Sequence, residues 1–191
     1  MKKKFFSLAV AALLSAAATT TVSAQAMMTP GTVMVGGEAM YPNKDIVANA
    51  VNSKDHTTLV AAVKAAGLVE TLQGKGPFTV FAPVNDAFEN LPAGTVETLL
   101  KPESKATLTK VLTYHVVAGN MSADKLMSAI KAGKGKASLK TVSGGTLIAS
   151  MNGARNMVLT DESGNTTSIT TYDVMQSNGV IHVIDKVLLP K

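Results

Sequence analysis

Two hydrophobic periods divide the chain, a helical one up to about residue 131 and a strand one from Ala137 onward. Ile46, Val47, Ala50 and Val51 recur at helical spacing and predict a short amphipathic helix. A second is predicted over 55–66, with Leu59, Val63 and Ala66 on one face and Gly67 as its stop. A helical turn over 68–72 leads to Gly74-Lys75-Gly76-Pro77, after which Phe78 to Ala82 reads as a buried strand ended by Pro83. Asn85 offers an N-cap oxygen to a helix over 86–91, where Asp86 and Glu89 suit the positive end of the dipole. Helices follow over 93–100 and 103–113, entered through Pro92 and Pro102. His115 to Gly119 is a short strand, and Ser122 caps a helix over 123–131 with Leu126, Met127 and Ile130 inward.

Beyond Ala137, strands are predicted at 138–142 and 146–151 around Ser143-Gly144-Gly145, then at 156–160, 169–172 and 180–184. Helices first and strands afterwards describe an α+β fold, not alternating βαβ units. With no internal repeat, residues 43–190 are expected to form one domain. Residues 27–42 carry Pro30-Gly31 and Gly36-Gly37 with no period, and are read as a flexible segment.

The N-terminus changes the compartment. Lys2-Lys3-Lys4, the apolar stretch Phe5 to Ala18 and small residues around Ala24 and Ala26 predict a signal peptide over 1–26, cleaved after either alanine. The apolar stretch is shorter than the ~20 residues a spanning helix needs, so no membrane anchor is expected after cleavage. The product would be exported, to the periplasm or the extracellular space. Removing Lys2, Lys3 and Lys4 lowers the formal net charge from +5 to about +2. The remaining basic cluster, Lys131, Lys134, Lys136 and Lys140, has no aromatic interleaved, so nucleic acid is not the expected partner. Without cysteine, an exported chain must rely on its hydrophobic core.

Catalytic patterns are missing. No serine stands in a Gly-x-Ser-x-Gly elbow, and His56, His115 and His182 have no metal-ligand spacing. His56 follows Asp55, but adjacent residues point apart, and a helix start accounts for the aspartate. The expectation is a non-enzymatic protein without cofactor or metal.

Three ordered segments carry a family resemblance. Thr79 to Phe88, Val111-Leu112-Thr113-Tyr114-His115-Val116-Val117, and Asn178-Gly179-Val180-Ile181-His182-Val183-Ile184-Asp185 followed by Val187-Leu188-Leu189-Pro190 resemble the motifs of the fasciclin (FAS1, beta-ig-h3) domain. One departure is Val84, where the family commonly has a hydroxyl residue. The resemblance spans Asn43 to Pro190 and implies a β-wedge of two small sheets with the N-terminal helices packed against it. It also implies adhesion, and two contact sites. Tyr114-His115 matches the Tyr-His pair discussed for integrin contact in animal members, and Asp173-Val174-Met175 sits where those members carry an Asp-Ile motif. The residues ahead of that motif differ here, being Thr171-Tyr172.

Tyr114, His115, Asp173, Val174 and Met175 are therefore the candidate partner-binding residues. Three of them also have a local reading: His115 as a junction histidine, Tyr114 as a half-exposed tyrosine and Asp173 as a turn-forming aspartate. The expected function is an exported binding module for cell adhesion or envelope and extracellular-matrix association, through a cell-surface or envelope protein or polysaccharide. The alternative is a periplasmic carrier of a small apolar or lipid ligand, suggested by the Ala- and Met-rich helices.

Overall fold

A computed structural model describes residues 30–191; the signal peptide read over 1–26 lies outside the described residues. The first element corrects the sequence reading. Within 27–42, strands β1 (Val33–Val35) and β2 (Glu38–Met40) pair antiparallel, and Met40 is only 2% exposed. The Gly36-Gly37 pair read as flexibility is the hairpin turn, both residues at positive φ. The packed unit thus begins before Asn43.

The helical layer follows: α1 (Ile46–Ala50), α2 (Thr57–Ala66) and α3 (Val69–Gln73). Asp45 caps α1 through Ala48 N at 2.8 Å, and Gly67 ends α2 in the left-handed conformation, as its position in the pattern predicts. Next come β3 (Phe78–Pro83), α4 (Asn85–Glu89), α5 (Thr95–Leu99), α6 (Lys105–Tyr114), β4 (Val116–Ala118) and α7 (Ala123–Ala132). The strand-rich half holds β5 (Lys136–Lys140), β6 (Thr146–Asn152), β7 (Asn156–Thr160), β8 (Thr166–Gln176) and β9 (Gly179–Ile184).

The main strands run in the order β4-β3-β9-β8-β7-β6-β5. Strand β8 is the hinge of this wedge. Its first residues pair with β7 and its remainder with β9, with register shifts between Ile169 and Val174 that bend it from one small sheet into the other. At the far ends, a bridge between Val117 and Thr141 brings β4 against the end of β5. The observed architecture is an α+β wedge with the N-terminal helices α1, α2 and α3 packed on one face of its central strands and α7 on the other.

Strands β3 and β9 pair in parallel and are covered on both faces, which explains their nearly unbroken apolar sequences. Val80, Ala82, Ile181 and Val183 face the helical layer and pack with Leu59, Val63, Leu72 and Met40. Phe81 and Ile184 face the other way, into a second core with Tyr114, Leu126, Leu147, Leu159 and Leu188.

Candidate functional site

The five residues expected to contact a partner occupy two places, and three of them are inside the protein. Tyr114 ends α6 with no exposed surface. Its hydroxyl donates to the Thr146 carbonyl at 2.8 Å and accepts from Glu162 N at 3.0 Å, joining α6 to β6 and the turn after β7. Burial holds this phenol above its ordinary pKa. The pocket for its ring is paid for by a glycine, since a Cβ on Gly145 would come within 2.6 Å of the ring.

His115 is 3% exposed. Its Nδ1 lies 2.8 Å from the Val111 carbonyl and must donate to it, so Nε2 is the acceptor for Leu188 N at 3.0 Å. The ring is held neutral between a helix end and the C-terminal segment, and burial pushes its pKa down to about 4. Val174 is also buried, facing the helical core. The expectation that Tyr114, His115 and Val174 form a contact surface is corrected on that ground: residues at most 3% exposed offer a partner almost nothing to touch.

Asp173 and Met175 are half-buried on β8. The stretch around Asp173, read from sequence as preceding a turn, is the bulged part of the strand, and Asp173 itself has φ 54. Aspartate tolerates that left-handed backbone better than most residues. Its carboxylate accepts from Ala123 N at 2.8 Å, so it caps α7 from a distant strand together with Ser122, the local cap read from sequence. Its backbone N–H lies 3.3 Å from His182 Nδ1, and His182 Nε2 reaches the Met121 carbonyl at 2.8 Å. His182 stacks on Phe81 and meets Tyr172 edge-on, and burial lowers its pKa. This cluster fastens α7 to the wedge.

Two asparagines have roles that sequence reasoning missed. Asn85 does not cap its own helix; Val84 occupies that position and makes no side-chain bond. The Asn85 amide oxygen instead accepts from Thr58 N at 3.0 Å and its nitrogen donates to the Lys54 carbonyl at 2.8 Å, so it caps α2. Asn178 accepts from Ile46 N at 3.1 Å and donates to the Leu72 and Gly74 carbonyls, pinning α1 and α3 to the entry of β9. An asparagine next to each of the two buried strands was the available signal. Its partners, about 106 and 132 residues away for Asn178, leave no trace in spacing.

The remaining candidate is an apolar cavity of about 90 Å³ between the hairpin, the helical layer and the β3/β9 pair. His56 lines it at 3% exposure. Its Nδ1 is 2.8 Å from Ser53 Oγ, while Nε2 makes no hydrogen bond among the described residues. Burial lowers the His56 pKa, offset in part by the Ala82 carbonyl and Asp55. The lysines of the basic cluster are exposed, Lys136 and Lys140 on the outward side of β5. Among the described residues no group of acidic, histidine or cysteine side chains could hold a metal ion, and no helix is long and apolar enough to cross a membrane.

Comparison with known proteins places this geometry. The chain is 43% identical over 171 residues to protein sll1483 of Synechocystis sp., covering 90% of this chain and 87% of that one. It is 33% identical over 166 residues to the cell surface glycolipoprotein MPB83 of Mycobacterium bovis, covering 84% of this chain and 65% of the relative. It is 36% identical over 134 residues to the transforming growth factor-beta-induced protein ig-h3 of Sus scrofa, covering 70% of this chain but 17% of that much longer protein. Among solved structures, a FAS1 domain pair from the insect cell adhesion molecule Fasciclin I superposes with a TM-score of 0.66 at 19% identity, over 78% of this chain and 51% of that one. The model of the fasciclin domain matches residues 54–190, and the chain belongs to that family.

Proposed function

We propose that this protein is an exported, non-enzymatic binding module that associates with a cell-envelope or extracellular protein or polysaccharide. The observation that carries the reading is family membership shared with a relative described as a cell surface glycolipoprotein, aligned over 84% of this chain. The signal peptide read over 1–26 supports export. Since Tyr114 and His115 are interior, the contact surface belongs to exposed groups. Two neighbourhoods keep surface accessible: the exposed, outward lysines of β5, and the partly exposed Met175 beside Asp173 on β8.

Mature protein lacking residues 1–26, immobilised and exposed to envelope and extracellular-matrix fractions, should retain a saturable partner above a denatured control. Met175→Ser or the pair Lys136→Glu and Lys140→Glu should weaken that retention without moving the unfolding midpoint. Retention equal to the control for every fraction, or a partner insensitive to both sets of substitutions, rules out the reading in its present form.

A further inference from the structure

A larger cleft opens between α4, the turn after β7 and the segment that follows β9. Its volume is about 450 Å³, within the ~300–1,000 Å³ of ordinary ligand pockets. Ala87 and Leu91 of α4 meet Val187, Leu188 and Leu189 in an aliphatic floor, much of it shared with a small core around Val111. Asn90, Asn165, Thr166 and Lys186 also line the cleft, and all four are exposed, so they form its rim. An apolar floor under a polar rim suits a ligand with a C–H face and an edge of hydroxyls.

The walls are held by the domain itself. The buried Asp161 carboxylate accepts from Ser163 N and Asn165 N at 2.9 Å, and from Asn165 Nδ2 and Leu189 N at 3.1 Å, which ties the turn to the C-terminal segment. Thr167 Oγ1 donates to Asp185 at 2.7 Å and accepts from Lys186 N at 3.0 Å. A cleft fixed in this way loses little freedom on binding. The same bonds occupy its backbone: Gly164, Asn165, Lys186, Leu188 and Leu189 all have their N–H groups bonded within the domain. A peptide that adds as a strand needs free backbone groups along an edge, so this cleft does not suit one. Side chains remain. Those of Asn90, Thr166 and Lys186 have no hydrogen-bond or ionic partner among the described residues. Amide and hydroxyl groups donate and accept, and an ammonium donates, which complements a set of sugar hydroxyls. Lys186 is the one cation in the lining, with Asp185 next to it in the chain and Asp86 and Glu89 on α4, so charge does not favour a polyanion.

We propose that this cleft binds a segment of a neutral polysaccharide, with sugar rings lying on the floor of Leu91 and Leu189 and their hydroxyls bonded to Asn90, Thr166 and Lys186. The site is distinct from the β5 lysines and from Met175, and it stands whether or not either of those holds a partner. No aromatic ring lines the cleft to stack on a sugar, so the affinity is modest, with Kd on the order of 1 mM.

The probes are cellotetraose, maltotetraose and mannotetraose, with tetragalacturonate as the charged control and a blocked tetra-alanine peptide as the strand-forming one. With ¹⁵N-labelled mature protein, at least one neutral tetrasaccharide should give saturable amide shifts confined to α4, the 161–167 turn and residues 185–191. Thr166→Val and Lys186→Met should each weaken its binding about two- to ten-fold, the range of one hydrogen bond, without moving the urea midpoint. Lys136→Glu with Lys140→Glu should leave it unchanged, which separates this site from the surface reading. No saturable shift with any of the neutral sugars overturns the proposal, as does tighter binding of tetragalacturonate or of the peptide at the cleft. Shifts that saturate elsewhere, or binding that is lost in the β5 pair or insensitive to both Thr166→Val and Lys186→Met, overturn the cleft as the site. If either cleft variant fails to fold, the location of the wild-type shifts and the ranking of the probes still decide the matter.

Discussion

Single polar side chains carry much of the connectivity of this domain. Asn178 makes three hydrogen bonds to the backbone of two helical segments, and Asn85 makes two that close the start of α2. Truncating either leaves backbone groups unpaired in a partly buried setting, so the cost exceeds that of a surface contact. Asn85→Ala should destabilise by about 1–2 kcal/mol, the usual effect of a lost helix cap. Asn178→Ala should cost about 2–4 kcal/mol, because three partly buried partners are orphaned together. Urea unfolding curves with unchanged slopes would measure both; equal costs would mean that the bonds of Asn178 are replaced by water. Gly145→Ala should also destabilise, since its Cβ would press on a fully buried tyrosine ring held at both ends.

At the scale of elements, the N-terminal hairpin is the part that the hydrophobic pattern concealed. Each of its strands has only three residues, too few for alternation to register as a period. Its burial depends on what lies opposite. Met40 packs in the helical core, and the Tyr41 backbone exchanges two hydrogen bonds with the buried amide of Asn49, which also meets Gln176 of β8. Met40→Ala should therefore cost about 2–5 kcal/mol, as for other buried large-to-small substitutions. Native-state hydrogen exchange should show the loss first in the α1 amides. A cost below about 0.5 kcal/mol, the range of exposed sites, would show that the hairpin is not integral to the core. The bulge in β8 is a comparable case. Its apolar and polar positions alternate imperfectly because the strand serves two sheets, and Asp173 sits where the register changes.

For the molecule as a whole, three buried neutral histidines couple folding to pH. His56, His115 and His182 all have pKa values lowered by burial, His115 to about 4. The unfolded chain binds protons at these sites below the ordinary value of 6.5, whereas the folded chain resists them. Stability is thus fully present above pH ~6.5 and lost as pH falls toward about 4, with His115 alone contributing about 3 kcal/mol over that window. Unfolding free energies measured from about pH 7.5 down to about 4 should decline along this limb. His115→Asn should flatten the decline even though it lowers the plateau; an unchanged slope would mean that His115 is not the group titrating.

Much of this protein was readable from local chemistry. The run from Phe78 to Ala82 had to be a buried strand because it is apolar without alternation, and Gly67 and Ser122 mark helix ends by what their own atoms can do. The ordered motifs carried the family for the same reason, being short segments whose shape follows from near neighbours. Function-bearing detail behaved differently. Whether Tyr114 and His115 face a partner or the interior turns on β6 and the C-terminal segment closing over them, and those contacts reach across 32 and 73 residues. Asn85, Asp173 and Asn178 cap helices that are not their own, and His56 is buried beside Ser53 only because the hairpin and helical layer enclose it. Secondary structure is governed by neighbours a few positions away, which sequence displays. Burial and the pairing of polar atoms are governed by residues far along the chain, and only their assembly in space sets them.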